Sequence, residues 1–189
     1  MSNPGIRSKG YSERDLPHFT PNDSPYFVTF CLYGVYDREL QMVKEEKMRF
    51  SVYDKLLDNA TEGPHHLKDP RCAKIVYDKL LWLSEEVLGM HAFTVMSNHV
   101  HLMMSLKEEQ DLGDLLKLVK GSTARECNKV LGLTGQTFWQ SERYDRVIRW
   151  KEHRVTFEYV VNNPKKADIV KEWRDHPWTW VNERTHYSK

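Results

Sequence analysis

The 189 residues fit a single domain, and a content of 40% hydrophobic and 12% aromatic residues is enough to build a packed core. No run of about 18 apolar residues occurs, so we expect neither a membrane-spanning helix nor a membrane partner. The formal net charge of +1 separates the chain from the strongly basic nucleic-acid binders. Cys31, Cys72 and Cys127 are far apart and form no CxxC pair, which favours a reduced, intracellular protein.

The first half of the sequence predicts a leader, a strand and two helices. Residues 1–24 are rich in Gly, Pro, Ser and Asn, which favours a flexible leader or a strap across the surface. The β-branched and aromatic segment 26–32 predicts the first strand. Apolar residues at helical spacing predict an amphipathic helix over 43–59. Asp69-Pro70 is typical of an N-cap followed by the first position of a second helix, which we expect over 70–88.

The second half predicts a hairpin followed by two more helices. Segments 91–96 and 99–106 have the composition of two strands joined by a tight turn at Ser97-Asn98, although a single bent strand would have the same pattern. A stripe of apolar residues then predicts a helix over 111–131. The remaining predicted elements are a strand within 138–149, a helix over about 150–170 that is interrupted or ends near Asn163-Pro164, and an irregular tail that contains Trp173, Trp178 and Trp180.

The order of the predicted elements indicates the fold class. It is strand, helices, strand, strand, helix, strand, helix, with no internal repeat and no sign of a second domain. This order predicts an α+β fold of the ferredoxin-like sandwich type, in which an antiparallel sheet carries helices packed mainly on one face. We expect residues 25–189 to form this single domain.

His99 and His101 alternate with apolar residues on the predicted strand 99–106. Because successive side chains of a strand point to opposite faces, both imidazoles project to one face, while Val100 and Leu102 face the helices. Two imidazoles on one face can share a divalent metal ion, and histidine is the commonest protein ligand for such ions. A pair of ordinary sheet-surface histidines has the same spacing, so the pattern alone leaves both interpretations open.

Tyr159 and Asn163 form a second candidate pair on the last predicted helix. They are four residues apart and therefore lie on one helical face, one turn from each other. A phenol beside a metal ion can attack phosphorus and form a covalent intermediate, and the amide oxygen of Asn163 could complete the ligand set. A half-buried helix aromatic and a helix-ending asparagine would have the same spacing.

Several ordered segments resemble one known family. Segment 95–102 (VMSNHVHL) is similar to the metal-site strand of the single-tyrosine HUH transposases, the IS200-like transposases, and most of all to the branch of REP-associated tyrosine transposases. Further segments resemble the first strand, the later strand, the tyrosine helix and the terminal segment of that family. In the same order they are 26–30, 138–140 with 144–149, 158–167 and 176–180. The resemblance covers about residues 26–181 of the chain.

The resemblance implies a set of functional residues and a reaction. His99 and His101 would bind Mg²⁺ or Mn²⁺ with the help of Asn163, and Tyr159 would be the nucleophile. Attack by Tyr159 on a phosphate of single-stranded DNA would leave a 5′-phosphotyrosine and a free 3′-hydroxyl, which can rejoin DNA without ATP. The implied substrate is a palindromic repeat that folds as a hairpin, and the implied enzyme is a monomer or homodimer in the cytoplasm, associated with the nucleoid. Asp168 stands where the family often has glycine.

Three groups of basic residues are candidates for binding the DNA backbone. They are Lys117, Lys120 and Arg125 on helix 111–131, Arg143, Arg146 and Arg149 in the segment after it, and Lys165 and Lys166 beside the tyrosine. Trp139 and Trp150 near the second group could stack on unpaired bases. Solvated helix faces and core tryptophans give the same pattern, so the assignment depends on where the fold places these residues.

Two other functions fit the same residues. The chain could be a hairpin-specific DNA-binding protein with little or no cleavage activity, or a metal-dependent phosphodiesterase in which Tyr159 is structural. The three functions differ in the fate of the DNA. A transferase becomes covalently attached to its DNA, whereas a hydrolase releases its product and a binding protein leaves the strand intact.

Overall fold

The computed structural model describes residues 11–13, 17–19, 24–35, 57, 63–86, 89–106 and 110–183. The strands are β1 (Tyr11–Glu13), β2 (Pro17–Phe19), β3 (Pro25–Cys31), β4 (Met90–Val95), β5 (His99–Ser105), β6 (Tyr144–Val147) and β7 (Thr179–Val181). The helices are α1 (Pro70–Glu86), α2 (Leu112–Leu131) and α3 (His153–Lys166). Short 3₁₀ turns cover His66–Lys68, Trp150–Glu152 and Trp173–Asp175.

Five of these strands form one antiparallel sheet in the order β6-β3-β5-β4-β7. The predicted hairpin is confirmed, because β4 and β5 pair directly and Val95 lies opposite Val100 across the turn Ser97-Asn98. Strands β1 and β2 pair in a separate two-stranded ribbon. The sheet and its helices confirm the predicted α+β fold class.

The first face of the sheet is covered by α1 and α2. Alternate residues of the central strands, such as Val28 on β3 and Leu102 on β5, contact apolar residues of both helices, including Leu80 and Leu116. These side chains are buried, and burying each one contributes roughly 1.5–3 kcal/mol to the free energy of unfolding. This face holds the larger part of the hydrophobic core.

The second face of the sheet is covered by α3 alone among the described helices. Phe27 and Met103 of the sheet pack against Val160 and Val161 of α3 in a smaller cluster. The described helices are therefore divided two to one between the faces, in agreement with the prediction that helices pack mainly on one side. Of these, the helix on the second face is the one that carries Tyr159.

Helix α3 runs along the second face from one end of the sheet to the other. Near its start, the ring of His153 contacts the ring of His91 on β4, with centroids 5.0 Å apart. Further along, the ring of Tyr159 lies 5.8 Å from that of His101 on β5. Ala167, which follows the helix, lines a cavity together with His99. The last turn of α3 is thereby brought to the end of the sheet that carries the two histidines.

The predicted helix boundaries are confirmed where capping residues are present. The Asp69 carboxylate accepts a hydrogen bond from the backbone N–H of Arg71 at 2.9 Å, with Pro70 as the first residue of α1. Asp111 caps α2 in the same way by accepting from the N–H of Asp114 at 3.0 Å. Both caps satisfy backbone donors that have no partner inside the helix.

The C-terminal boundaries are less well predicted. The prediction of an irregular tail is wrong over Thr179–Val181, because these residues pair with β4 as an edge strand. A strand of three residues is too short to show an alternating pattern in sequence. The predicted helix 150–170 is shorter, at His153–Lys166, and Pro164 lies inside its last turn. The strand predicted within 138–149 is limited to Tyr144–Val147.

The predicted helix over 43–59 lies outside the described residues except for Leu57, which is helical and buried. Leu57 packs against Cys31 at the end of β3. Among the residues that the structure describes, no helix is long and apolar enough to cross a membrane.

Candidate active site

His99 and His101 are buried on the central strand β5, with 1% and 0% of their surface exposed. The register of the sheet places His101 between Thr29 on β3 and Thr94 on β4. The Nε2 atoms of the two histidines lie only 2.9 Å apart. The two imidazoles therefore converge on one point, as a shared metal site requires.

The outer nitrogen of each imidazole has a partner of its own. Nδ1 of His101 lies 2.7 Å from the Thr29 hydroxyl, and Nδ1 of His99 lies 2.6 Å from Oδ1 of Asn98. Asn98 in turn donates from Nδ2 to the backbone oxygen of Leu57 at 3.2 Å. Hydrogen bonds of this kind hold the ring orientation of metal-ligating histidines.

Thr29 and Asn98 were not predicted as site residues. Asn98 immediately precedes His99 in the turn, and Thr29 is the polar residue in the apolar segment 26–32, so each carried a weak signal. Neither signal indicates a contact with a histidine until the pairing of β3 with β5 is known.

Both histidines are kept neutral by their surroundings. Burial, followed by the positive charge of Lys166, lowers the pKa of His101 to about 3. The pKa of His99 is lowered well below its ordinary value, first by burial and then by His101 and His65. Because both pKa values are low, protons compete little for these nitrogens near neutral pH. The neutral imidazoles therefore keep the lone pairs that a metal ion needs.

Tyr159 lies next to the histidine pair on α3. Its ring is 5.8 Å from that of His101 and meets the ring of Phe27 edge-on, also at 5.8 Å. The Tyr159 hydroxyl is buried. The ammonium nitrogen of Lys166 lies 3.8 Å from the centroid of the same ring. A cation at this distance from the ring makes a cation–π contact with the tyrosine.

Asn163 lies one turn after Tyr159 and is completely buried. Neither Oδ1 nor Nδ2 of its side chain has a hydrogen-bond partner among the described residues. A buried amide without partners costs about 1–3 kcal/mol, so its persistence points to a ligand that would satisfy it.

These residues fit a divalent metal ion. Two neutral imidazoles with adjacent Nε2 atoms and one unsatisfied buried amide provide three uncharged donors. Within the described part of the chain, no cluster of three His, Cys, Asp or Glu residues could hold such an ion. An ion held by uncharged donors keeps its full positive charge, which favours a phosphate as a further ligand.

A cavity of about 660 Å³ opens beside His99. One wall is formed by the hairpin residues Val95 and Met96, and another by Ile169 and Val170, which follow α3. Trp178, His65 and Lys68 also line it. A cavity of this size, with an apolar lining and a few polar groups, can accept a nucleotide.

Three of the predicted DNA-binding cations lie on the same face of the sheet as Tyr159. Lys166 covers the tyrosine ring, and the neighbouring Lys165 contacts Glu172 at 2.9 Å. Arg146 lies opposite Phe27 on the edge strand β6 and contacts Glu152 at 3.0 Å. The fold thus brings these three close to the candidate site from two different elements.

The other five predicted cations are distributed differently. Lys117 and Arg125 are exposed on α2, which packs on the opposite face of the sheet from Tyr159. Lys120 also lies on α2, and its ammonium donates to the backbone oxygens of Gln140, Ser141 and Glu142 at 2.9, 3.3 and 3.3 Å. Arg143 contacts Asp145 at 2.9 Å, and Arg149 is exposed before the 3₁₀ turn at Trp150–Glu152. The contacts of Lys120 and Arg143 support structural roles.

The two tryptophans considered as base-stacking residues have opposite environments. Trp139 is 6% exposed, contacts Phe30 and donates from its indole nitrogen to the Thr123 hydroxyl at 2.9 Å. Trp150 is 87% exposed in the 3₁₀ turn that precedes α3. Trp139 is therefore part of the core, whereas Trp150 is available to stack on a base.

Residues 71–163 match the model of the family described as Transposase IS200 like. Over this span the chain is similar to the IS200-like transposases. The span runs from the first turn of α1 to Asn163 and includes His99, His101 and Tyr159. The family predicted from the sequence motifs is thereby confirmed. No curated protein matches the chain.

Three solved structures are similar to this chain. The structure of a REP-associated tyrosine transposase bound to a REP hairpin is 18% identical with a TM-score of 0.54, and the match covers 85% of this chain and 78% of that one. A putative transposase from Deinococcus radiodurans R1 is 13% identical with a TM-score of 0.40, over 86% and 98% of the two chains. A bacterial tRNA(His) guanylyltransferase (Thg1)-like protein in complex with GTP is 9% identical with a TM-score of 0.44, over 79% and 67%. The first of these supports the fold.

Proposed function

We propose that this IS200-like transposase is a metal-dependent endonuclease and strand-transferase for single-stranded DNA, and that Tyr159 forms a 5′-phosphotyrosine intermediate. The observation that carries the proposal is the position of the Tyr159 ring 5.8 Å from the ring of His101. A nucleophile and a candidate metal site on one face of the sheet are what covalent phosphoryl transfer requires. A DNA-binding protein without cleavage activity would have no need of a candidate metal site beside a tyrosine.

His99, His101 and Asn163 are the residues that would hold the ion. When bound, a divalent ion supplies Lewis-acid polarisation of the phosphate. The protein residues orient the donors through Thr29 and Asn98 and keep them neutral by burial. We expect Mn²⁺ to act at lower concentration than Mg²⁺, because protein ligands of Mg²⁺ are mostly oxygen atoms, whereas this site offers two imidazoles.

The chemical step exchanges one phosphodiester bond for another. The Tyr159 oxygen forms a bond to phosphorus, and the bond from phosphorus to the 3′ oxygen of the preceding nucleotide breaks. The phenol proton is lost on attack, and the departing 3′ oxygen takes up a proton to become a hydroxyl. Lys166, whose ammonium nitrogen lies 3.8 Å from the ring centroid, would hold the Tyr159 ring in position through a cation–π contact. Attack by a 3′-hydroxyl on the phosphotyrosine reverses the step, so no ATP is needed.

The proposed substrate is a palindromic repeat that folds as a hairpin when single-stranded. The REP-associated relative, whose fold is similar, is described as bound to a REP hairpin. In this chain Lys165, Lys166 and Arg146 would contact phosphates near the nucleophile, and the exposed Trp150 would stack on an unpaired base. The cavity beside His99 would accept a nucleotide next to the cleaved bond.

The test uses purified protein, Mn²⁺ and single-stranded hairpin DNA taken from beside its own coding region. The label is placed at the 3′ end, because a 5′-phosphotyrosine leaves that part of the strand attached to the protein. We expect a labelled band that migrates with the protein on a denaturing gel and is absent when EDTA is added. Tyr159→Phe should reduce this band by about a thousandfold or more while DNA affinity is retained.

Tyr144→Phe is the matched control, because Tyr144 packs against the same cluster as Tyr159 and its ring lies 6.3 Å from that of Phe27. It should form the covalent band as the parent does. A Tyr159→Phe protein that becomes attached at the parent rate would refute the nucleophile. Cut DNA without an attached label would favour the phosphodiesterase, and retarded but intact DNA on a native gel would favour the binding protein.

A further inference from the structure

The histidine pair forms a chain of short hydrogen-bond contacts that begins at Leu57 and ends at Thr29. Asn98 donates to the Leu57 backbone oxygen at 3.2 Å and contacts Nδ1 of His99 at 2.6 Å through its Oδ1. Nε2 of His99 then lies 2.9 Å from Nε2 of His101, and Nδ1 of His101 lies 2.7 Å from the Thr29 hydroxyl. Each contact needs one donor and one acceptor, so the proton positions along the chain depend on each other.

The first link fixes the proton of His99. A backbone oxygen only accepts, so the Asn98 amide must direct its NH₂ group at Leu57 and its oxygen at His99. Nδ1 of His99 therefore carries the proton that it donates to Asn98. Since the neutral ring has a single N–H, Nε2 of His99 holds a lone pair.

The other end of this chain of hydrogen bonds, at His101 and Thr29, has two possible arrangements of protons. Without an ion, Nε2 of His101 must donate to the lone pair of His99, and its Nδ1 then accepts from the Thr29 hydroxyl. With an ion, both Nε2 atoms must present lone pairs, so the His101 proton moves to Nδ1 and the Thr29 oxygen accepts it. A hydroxyl can take both roles by rotating about its C–O bond, which an amide or a backbone group cannot do.

We propose that Asn98 and Thr29 are positioning residues with different tasks: Asn98 locks the tautomer of His99, and Thr29 lets His101 change its tautomer when the metal ion enters. The inference deepens the proposed function and rests on it in one respect, namely that an ion binds at this pair. It explains how two adjacent buried imidazoles are hydrogen-bonded both before and after an ion is bound.

The first test measures tautomers directly. Long-range ¹H–¹⁵N correlation spectra of the full chain, labelled on histidine, distinguish the two neutral forms. In the metal-free protein we expect the proton on Nδ1 of His99 and on Nε2 of His101. Addition of Zn²⁺, used as a diamagnetic probe, should move the His101 proton to Nδ1 and leave that of His99 in place. A His101 proton that lies on Nδ1 before Zn²⁺ is added would overturn the switch.

The second test measures Mn²⁺ affinity by calorimetry in Thr29 variants. Thr29→Val keeps the shape of the side chain but removes the acceptor for the metal-bound tautomer, and we expect the Kd to rise by about 10- to 100-fold. Thr29→Ser restores the hydroxyl and should return the Kd to within about threefold of the parent. The melting temperature of each variant is measured as well, and the Kd values are compared at a temperature at which all the proteins are folded. A loss of affinity is then not due to unfolding.

Thr94→Val is the matched control. Thr94 is buried on the other neighbour of β5, directly opposite His101, but its hydroxyl lies 2.7 Å from that of Thr179. The expected Kd is that of the parent. An unchanged Kd in Thr29→Val overturns the role of Thr29 while the proposed strand-transferase stands. A parent that binds no ion by any measure overturns both the Thr29 switch and the metal dependence.

Discussion

Strand β5 presents its residues alternately to two faces of the sheet, and the chemistry of the two faces differs. Val100 and Leu102 lie beneath α1 and α2 among apolar side chains. His99 and His101 are equally buried on the other face, where α3 is the described helix that covers them. Burial stabilises the protein on the first face. On the second face, the same exclusion of water keeps two imidazoles neutral and holds a tyrosine beside them.

Substitutions at neighbouring positions of β5 should separate the two faces most clearly. Leu102→Ala leaves a cavity in the large core and should lower the free energy of unfolding by about 2–5 kcal/mol. His101→Ala should keep a cooperative unfolding transition but lose metal-dependent attachment to DNA. Urea denaturation and the denaturing-gel assay measure the two effects. If His101→Ala forms the covalent complex as the parent does in the same Mn²⁺ buffer, the histidine is not a ligand.

Acid should destabilise the histidine-bearing face selectively. Burial, followed by the nearby His153, lowers the pKa of His91 to about 4, and burial lowers that of His176 to about 4. Because the unfolded chain takes up these protons first, stability is fully present above about pH 6.5 and falls as the pH drops toward 4. We expect His91 to account for about 2 kcal/mol of this loss.

The measurement is the melting temperature of the parent and of His91→Gln between pH 7.5 and pH 4.5. Gln can still hydrogen-bond to Ser105, which lies 2.9 Å from Nε2 of His91, but it does not titrate. The variant should show a smaller change in melting temperature over this range. Equal changes in melting temperature in both proteins would show that His91 does not contribute to the loss of stability in acid.

Asn163→Leu tests whether the buried amide of Asn163 lowers the stability of the metal-free protein and is needed to bind the metal ion. Leucine has a similar volume and removes an amide that is buried without a hydrogen-bond partner among the described residues. The metal-free variant should therefore be more stable by about 1–2 kcal/mol, while its Mn²⁺ affinity and covalent attachment are lost. A variant that is less stable than the parent and still binds Mn²⁺ would contradict the ligand assignment.

Asp168→Gly should have the smallest effect. Asp168 follows α3 with a backbone φ of +54°, a conformation that glycine adopts more easily than aspartate. Glycine should raise the free energy of unfolding by about 0.5–1 kcal/mol and leave DNA attachment unchanged. Urea denaturation measures the gain. A loss of stability on this substitution would show that the aspartate side chain makes a contact worth more than the strain.

The hairpin, the helix caps and the shared face of His99 and His101 could all be predicted, because each depends on residues that are close in sequence. The alternation of the strand is local, and so is the proline after Asp69. The burial of the histidines could not be predicted in the same way. It depends on α3, which begins more than 50 residues later and packs on the same face.

The predicted DNA-binding cations show why side-chain roles are harder to predict than elements. Lys120 was predicted as a DNA-binding residue, yet its ammonium donates to three backbone oxygens of the segment 140–142. Trp139 and Trp150 are both followed by polar or basic residues, but tertiary packing buries the first and exposes the second. Such roles depend on contacts between distant parts of the chain, and local sequence patterns do not reveal these contacts.

Leu57 contributes to the candidate site through its peptide group rather than its side chain. Every amino acid supplies the same carbonyl oxygen, so this position can change its identity without removing the acceptor that orients Asn98. The side chain of Leu57 packs separately against Cys31. The orientation of the first histidine therefore depends on where the backbone places residue 57 and not on which side chain that residue carries.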